Sequence, residues 1–472
     1  MLFNSFLNIG RIATTEDGKF IKATELLNRI QDRKGQFEKV MKAGDIVMIC
    51  HGGSAEFVVD LLASWSLGAA AACVNPAATE NEINNLVDFI EPSLLIRDSE
   101  NTPEILKESN VAYPASFNLD NPALYLFTSG TTGTPKGVEH SFRSLLARFT
   151  LNQTYIGKEN FERTLCALPT HFGHGLIGNL LTPLLVGGDV VLLSDKSPMG
   201  LSKLGQIIDD FDINFLSSVP SFWKMALRLS KPPQKGTLKR LHVGSAPLSL
   251  ELWQEIATWA GTDNVYNMYG ITETANWIGG TSLQEGADAD GLIGSVWGGS
   301  ALVKNTENGE ISKSGTGELL IQSPSLMNGY FKQPELTADV LKEGWFHTGD
   351  IGQIEEDGSI RITGRQKSEI NKAGMKILPE EIDLLLEKHE NIQEVCTFGL
   401  PDPISGERVA AAVVTDGSEL NGATLSKWMT PLIRKDAIPE KWFFVTEIPK
   451  TDRGKINRDN VRNVCLEQDT SK

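Results

Sequence analysis

Apolar and polar positions alternate between two periods along most of the chain. Residues 45–50 (Asp-Ile-Val-Met-Ile-Cys) form a short β-rich run, and residues 55–67 read as a helix. After Gly68, the apolar run 69–74 reads as a buried strand. Residues 94–96, 124–127, 190–193 and 213–219 continue the series. Strands that alternate with helices predict a largely parallel α/β sheet. The character changes near Gly291. Residues 317–323, 351–355 and 359–363 are short strands, and Asp357-Gly358 predicts a hairpin between the last two. A helix–strand mix returns from Pro379. The most apolar stretch, 58–75, is interrupted by Asp60 and ends at an Asn75-Pro76 turn. It reads as a helix followed by a strand, and no membrane span is expected.

Composition narrows the class. With 40% hydrophobic and 22% charged residues over 472 positions, the chain has ample core, and its length suggests about three domain-sized units. The balance of 44 Lys+Arg against 60 Asp+Glu gives a net charge of −16. That excess argues against nucleic acid as a partner, which needs clustered cations. It leaves room for a phosphorylated small molecule. The five cysteines (Cys50, Cys73, Cys166, Cys396 and Cys465) include no CxxC pair. Neither a disulfide framework nor a zinc site is expected, which fits a reducing, cytoplasmic compartment. The opening MLFNSFLNIG lacks a charged start and a full apolar region, so it does not read as a signal peptide.

The strongest local chemistry is Thr128-Ser129-Gly130-Thr131-Thr132-Gly133-Thr134-Pro135-Lys136-Gly137. It follows a strand and precedes a helical pattern from Ser141. Glycines let the backbone curl and turn its N–H groups toward an anion. Hydroxyls add donors, and Lys136 adds a point charge. This is a polyphosphate cradle. It is not a Walker A loop, because Pro135 stands where that motif has glycine.

This run resembles the signature of the adenylate-forming superfamily, which includes acyl- and aryl-CoA synthetases, peptide-synthetase adenylation domains and beetle luciferase. Further motifs agree in order. Gly244-Ser245-Ala246-Pro247 resembles the adenine-binding turn, and Asn267-Met268-Tyr269-Gly270-Ile271-Thr272-Glu273 the YGxTE motif. Gly317-Glu318-Leu319 with Gly329-Tyr330, then Thr348-Gly349-Asp350, follow. Gly364-Arg365-Gln366-Lys367 resembles the hinge, and Pro449-Lys450-Thr451-Asp452-Arg453-Gly454-Lys455 the C-terminal motif.

The resemblance implies an α/β fold. A large N-terminal domain (1–364) of α/β subdomains and a small β-barrel-like subdomain precedes a hinge (365–367) and a small, mobile α+β domain (368–472). It also implies roles. Tyr269 stacks on adenine and Asn267 offers it an amide. Thr272 donates to the α-phosphate. Glu273 is an oxygen ligand for Mg²⁺. Asp350 and Arg365 hold the ribose. Lys136 and Lys455 supply the positive charge that lets a carboxylate attack a phosphate. Rotation about Lys367 would withdraw Lys455 and bring in a thiol channel at Gly374.

The acid pocket is implied near residues 169–176, 219–222 and the turn after Glu273. Its candidates are His171, Phe172, His174, Val219, Phe222 and Met268, with Trp277 beside them. Family members carry one His within an aromatic pair. Here the register between His171 and His174 stays open. Residues 169–188 contain no carboxylate to pair with a substrate ammonium, which disfavours a free α-amino acid. The turn at Met268 carries no arginine for a dicarboxylate. The expected reaction is therefore ATP-dependent adenylation of a fatty or aryl acid, then transfer to the thiol of coenzyme A. The alternative acceptor is the phosphopantetheine of a carrier protein. A nucleotide-binding protein without catalysis is the remote alternative. The segment 98–121 is shorter than is usual, which bears on a peripheral hairpin or on homodimer contacts.

Overall fold

Ser54 opens the helix Ala55–Ser66 by accepting the Phe57 N–H at 3.2 Å, and Gly68, at φ +71°, turns the chain out of it toward the strand Ala70–Cys73. Every residue from Phe57 to Trp65 is buried, so this is a core helix. The polar residue that interrupts it, Asp60, is fully buried and held by Arg33 Nε at 3.0 Å and His51 Nε2 at 2.8 Å. The computed structural model describes residues 9–98, 103–107, 118–128, 136–372, 375–417, 420–451 and 454–470.

Two sheets form the bulk of the large domain. In one, Pro122–Thr128, Ala70–Cys73, Ile46–Ile49 and Leu94–Ile96 run parallel in that spatial order. Lys136–Ser141 then adds antiparallel to Pro122–Thr128. In the other, Ile12–Thr14, Asp189–Leu192, Arg163–Cys166, Phe215–Ser218, Arg240–Gly244 and Val265–Gly270 run parallel, and Trp277–Ser282 closes the edge antiparallel. One apolar core spans both sheets. It joins Val47, Ile49 and Leu124 of the first to Val190 and Leu192 of the second through Phe57, Trp65 and Leu180.

The β-barrel-like unit expected after Gly291 is an antiparallel sheet in the order Leu292–Gly294, Ile360–Arg365, Trp345–Ile354, Gly315–Gln322, Ser300–Lys304, Ile311–Ser312. Gly358, at φ +83°, sits in the hairpin turn between Trp345–Ile354 and Ile360–Arg365. The strand Ile360–Arg365 leads through one tight turn, Gln366–Ser368, into the small domain. There a sheet of Met375–Ile377, Ile370–Lys372, Gly406–Thr415 and Ile392–Asp402, with Lys441–Phe444 beside it, packs with the helices Pro379–Leu386, Gly422–Met429 and Arg458–Thr470.

All five cysteines are buried and unbridged. Burial pushes their thiols up, to about 12 at Cys50 and about 11 at Cys166 and Cys465. Among the described residues, no helix is long and apolar enough to cross a membrane.

Candidate active site

The candidate residues gather at the carboxyl ends of the parallel strands, the crevice where open α/β sheets place ligands. Gly244 ends its strand within 2.6 Å of Met268 O, measured from where a Cβ would stand, so only glycine fits there. Ser245 follows in the left-handed region, φ +68°. That turn aims its hydroxyl at His174 Nδ1, 2.8 Å away, while His174 Nε2 meets Ser217 Oγ at 2.7 Å. Burial, and then the charge of Lys455, pushes the His174 pKa down to about 3, so the ring is neutral. Ala246 is half-buried and Pro247 exposed just beyond.

The next strand delivers Asn267, Met268, Tyr269 and Gly270. Its alternation sends Met268 into a core of Phe215, Tyr266, Trp277 and Trp297. Asn267 is 4% exposed, and its amide donates to Leu292 O at 2.9 Å, tying this sheet to the antiparallel unit. The Tyr269 hydroxyl donates to Asp350 Oδ2 at 2.5 Å. Asp350 and Arg365 face each other in antiparallel register, which sets Arg365 Nε 2.7 Å from Asp350 Oδ1. Burial raises the Asp350 pKa above its ordinary value, and Arg365 is the largest force opposing the rise.

Thr272-Glu273-Thr274 forms a single tight turn after that strand. Glu273 Oε1 accepts the Tyr330 hydroxyl at 2.8 Å and lies 3.4 Å from Lys136 Nζ. The same ammonium stands 3.9 Å above the Tyr330 ring. Tyr330 was legible in the sequence only as part of a Gly-Tyr pair, with no role attached. Ser129, Gly130, Thr131, Thr132, Gly133 and Gly374, expected at the site, lie outside the described residues, as does the side chain of Thr128.

The pocket candidates divide. Phe172 and Val219 pack with Leu168 and Phe222 into one apolar cluster, and His171 sets its ring edge-on to Phe172 at 5.5 Å. His174 opens a π-helical segment, His174–Leu181, a wide-turn geometry frequent at functional sites. Trp277 meets the His174 ring at 5.5 Å, edge-on.

The small domain closes the crevice. Gly454, at φ +71°, brings its carbonyl 3.4 Å from the Ser221 hydroxyl, which donates to it. Lys455 follows, with its N–H on Thr451 Oγ1 at 3.2 Å, and its charge is felt at both His174 and Asp350. Two ion pairs, Lys224–Glu387 at 2.7 Å and Lys388–Asp290 at 2.9 Å, tie the same interface. Lys367 is exposed in the connecting turn.

Known proteins match the chain over most of its length. The AMP-binding enzyme model matches residues 38–331, and the AMP-binding enzyme C-terminal domain model matches 381–455. Oxalate–CoA ligase of Arabidopsis thaliana is 27% identical, covering 97% of this chain and 96% of the relative. Sulfoacetate–CoA ligase of Cupriavidus necator is 32% identical, covering 73% and 67%. The crystal structure of ATP-bound MatB from Rhodopseudomonas palustris superposes with a TM-score of 0.85 at 26% identity, covering 97% of this chain and 96% of that one. The chain belongs to the AMP-binding enzyme family, the adenylate-forming superfamily, as an acid–CoA ligase-type member with the family's C-terminal domain.

Proposed function

We propose that this enzyme activates a fatty or aryl carboxylic acid with ATP and passes the acyl group to the thiol of coenzyme A. The observation that carries the reading is the docking of Gly454 on Ser221, which brings the charge of Lys455 from the small domain within electrostatic range of Asp350 and His174 in the large one, where Glu273 also faces Lys136. In the first step a carboxylate oxygen bonds to the α-phosphorus, the α–β P–O bond breaks, and pyrophosphate leaves. In the second a thiolate sulfur bonds to the acyl carbon, the C–O bond to AMP breaks, and AMP leaves.

Each side chain has a task in this scheme. Asp350 accepts hydrogen bonds from the ribose hydroxyls, and Arg365 steadies its charge. The Tyr269 ring lies against the base, in the turn formed with Gly244, Ser245, Ala246, Pro247 and Gly270. Asn267 keeps its amide oxygen for the same region, since its N–H₂ is engaged at Leu292. Thr272 donates to the α-phosphate. Lys136 and Lys455 offset the repulsion between two anions in the transition state. Glu273 suits a Mg²⁺ that takes its other ligands from phosphate and water, since no cluster of three His, Cys, Asp or Glu residues exists among the described residues. Such an ion would neutralise charge on the triphosphate.

Residues 1–364 and 368–472 act as the two domains, and 365–367, with Lys367, as the hinge. Rotation there exchanges Lys455 for the segment around Gly374. The acid lies along His171, Phe172, Val219 and Phe222. The neutral His174, paired with two hydroxyls, supplies neither a cation for a second carboxylate nor an anion for an ammonium.

The test is pyrophosphate release across aliphatic, aryl, dicarboxylic and amino acids, each with no thiol, with coenzyme A, or with a phosphopantetheinylated carrier protein. Multiple turnover with a fatty or aryl acid and coenzyme A is the expected result. Turnover only with the carrier would make this a loading enzyme. Turnover only with dicarboxylates would overturn the choice of acid.

A further inference from the structure

The turn that carries Thr272 and Glu273 has all three of its main-chain carbonyls bonded to groups from other segments. Thr272 O lies 2.8 Å from His140 Nε2. Glu273 O accepts the Met327 N–H at 2.8 Å. Thr274 O accepts Arg148 Nε at 3.3 Å and the Ser325 hydroxyl at 3.1 Å. Arg148 Nη2 in turn donates to Ser325 Oγ at 2.5 Å and to Ser323 Oγ at 3.4 Å.

Two of these groups are unusual in their burial. His140 and Arg148 are both 0% exposed. A carbonyl only accepts, so His140 carries its proton on Nε2, and Nδ1 faces Ser144 Oγ at 3.4 Å. Burial pushes the His140 pKa down to about 4, which keeps that neutral form across ordinary pH. Among the described residues, no carboxylate acts on Arg148, and its Nη1 is buried without a hydrogen-bond partner. Burying a guanidinium this way is costly. An apolar residue would fill the same place in the helix Phe142–Ile156 without that cost. What Arg148 does is join three segments: its own helix, the turn at Thr274, and the stretch Ser323–Ser325 that leads to Tyr330.

The position of these residues in the chain sharpens the point. His140 lies on the strand Lys136–Ser141, which begins with Lys136, and Ser141 caps the helix that carries Arg148. One continuous segment thus carries the phosphate-facing lysine and both groups that grip the turn. Tyr330, at the far end of the third segment, then donates to the Glu273 carboxylate at 2.8 Å.

We propose that His140 and Arg148 are positioning residues. They hold the Thr272–Thr274 turn by its carbonyls so that the Thr272 hydroxyl and Glu273 carboxylate face the triphosphate and its Mg²⁺ in register with Lys136. This rests on the reading above that Glu273 serves the metal-bound triphosphate.

The test needs no knowledge of the acid. Affinities for ATP, with and without Mg²⁺, and for adenosine are measured by isothermal titration. The variants are Glu273→Gln, His140→Leu, His140→Gln, Arg148→Lys and Ser325→Ala. In the wild type, Mg²⁺ should tighten ATP binding. Glu273→Gln should lose most of that gain. His140→Leu and Arg148→Lys should reduce it about tenfold, in line with the effect of a small misplacement, and leave adenosine affinity within about twofold because the adenosine contacts are elsewhere. His140→Gln, which keeps an N–H donor, should restore most of the gain. A variant that merely loosened the fold would weaken adenosine and ATP alike, and that result would overturn the proposal. If Glu273→Gln abolishes the Mg²⁺ gain and folded His140→Leu keeps it, positioning is refuted while the metal reading stands. If Glu273→Gln keeps the gain, the metal reading fails and the proposal with it. Ser325→Ala deletes one hydroxyl and leaves the guanidinium in place, so it serves where Arg148→Lys does not fold. An unchanged Mg²⁺ gain in Ser325→Ala would then count against the proposal.

Discussion

Tyr269→Phe removes a single oxygen with its proton, and its consequences can be worked from the fold. The hydroxyl donates to Asp350 Oδ2 at 2.5 Å, and Arg365 Nε holds Oδ1 at 2.7 Å. Asp350 is 2% exposed, so water does not readily replace the lost donor. A hydrogen bond to a charged group contributes about 1.5–3 kcal/mol. Burial already raises the Asp350 pKa, so its ionised form opposes folding. That penalty is absent below the unfolded-state pKa, builds as the pH rises, and is complete above the folded-state pKa. Losing the tyrosine donor raises the folded-state pKa further. The variant should therefore be less stable by about 1.5–3 kcal/mol at pH 8, and the deficit should shrink as the pH falls, because a protonated carboxyl no longer needs the donor. Urea unfolding followed by tryptophan fluorescence at pH 8 and pH 5 measures both. AMP at saturation should stabilise the variant more than the wild type, since ribose hydroxyls supply the missing donor. A deficit equal at both pH values, or one below about 0.5 kcal/mol at pH 8, would refute the reasoning.

Lys455→Gln should slow adenylation by about 10²–10³ and leave acyl transfer from a supplied acyl-adenylate to coenzyme A nearly unchanged; equal losses in both half-reactions would contradict a role confined to the first. At Gly454 a Cβ would stand 2.6 Å from Ser221 Oγ, in a left-handed backbone. Gly454→Ala should cost adenylation about tenfold, from the ~1–2 kcal/mol price of that conformation and the clash. Adding Ser221→Ala should recover part of the rate, and the idea that this contact docks the small domain fails if it recovers none. Asp60→Ala should destabilise the large domain by about 3–5 kcal/mol, read in urea, because it strands Arg33 and His51 in the core.

Local features of the fold were legible and long-range ones were not. The helix after Ser54 and the Asp357-Gly358 hairpin follow from caps and turn residues within a few positions of one another. The strand Lys136–Ser141 was missed, because Lys-Gly-Val-Glu-His-Ser has little β character. It is a strand because it pairs back onto Pro122–Thr128. In the candidate site, the meeting of Tyr269, Asp350 and Arg365 was expected only through resemblance. No local pattern joins residues 81 apart, the separation of Tyr269 from Asp350. His174 looked like one of two equivalent histidines. Its bonds to Ser217 and Ser245, 43 and 71 residues away, distinguish it from His171. Arg148 carried no signal at all. An arginine within a helix reads as solvent-facing until the partners 126 and 177 positions distant are in place.

The burial of all five thiols has a practical consequence at the bench. A thiol that is both sequestered and hard to ionise reacts slowly with disulfide dyes, because the thiolate is the attacking species. The folded enzyme should therefore be nearly colourless toward such a dye, and the free thiol of coenzyme A is then the main reactive sulfur in the cuvette. Its disappearance can be followed continuously as acid is converted. Labelling of the protein itself would report opening of the core, so one reagent reads turnover on the scale of seconds and integrity on the scale of hours.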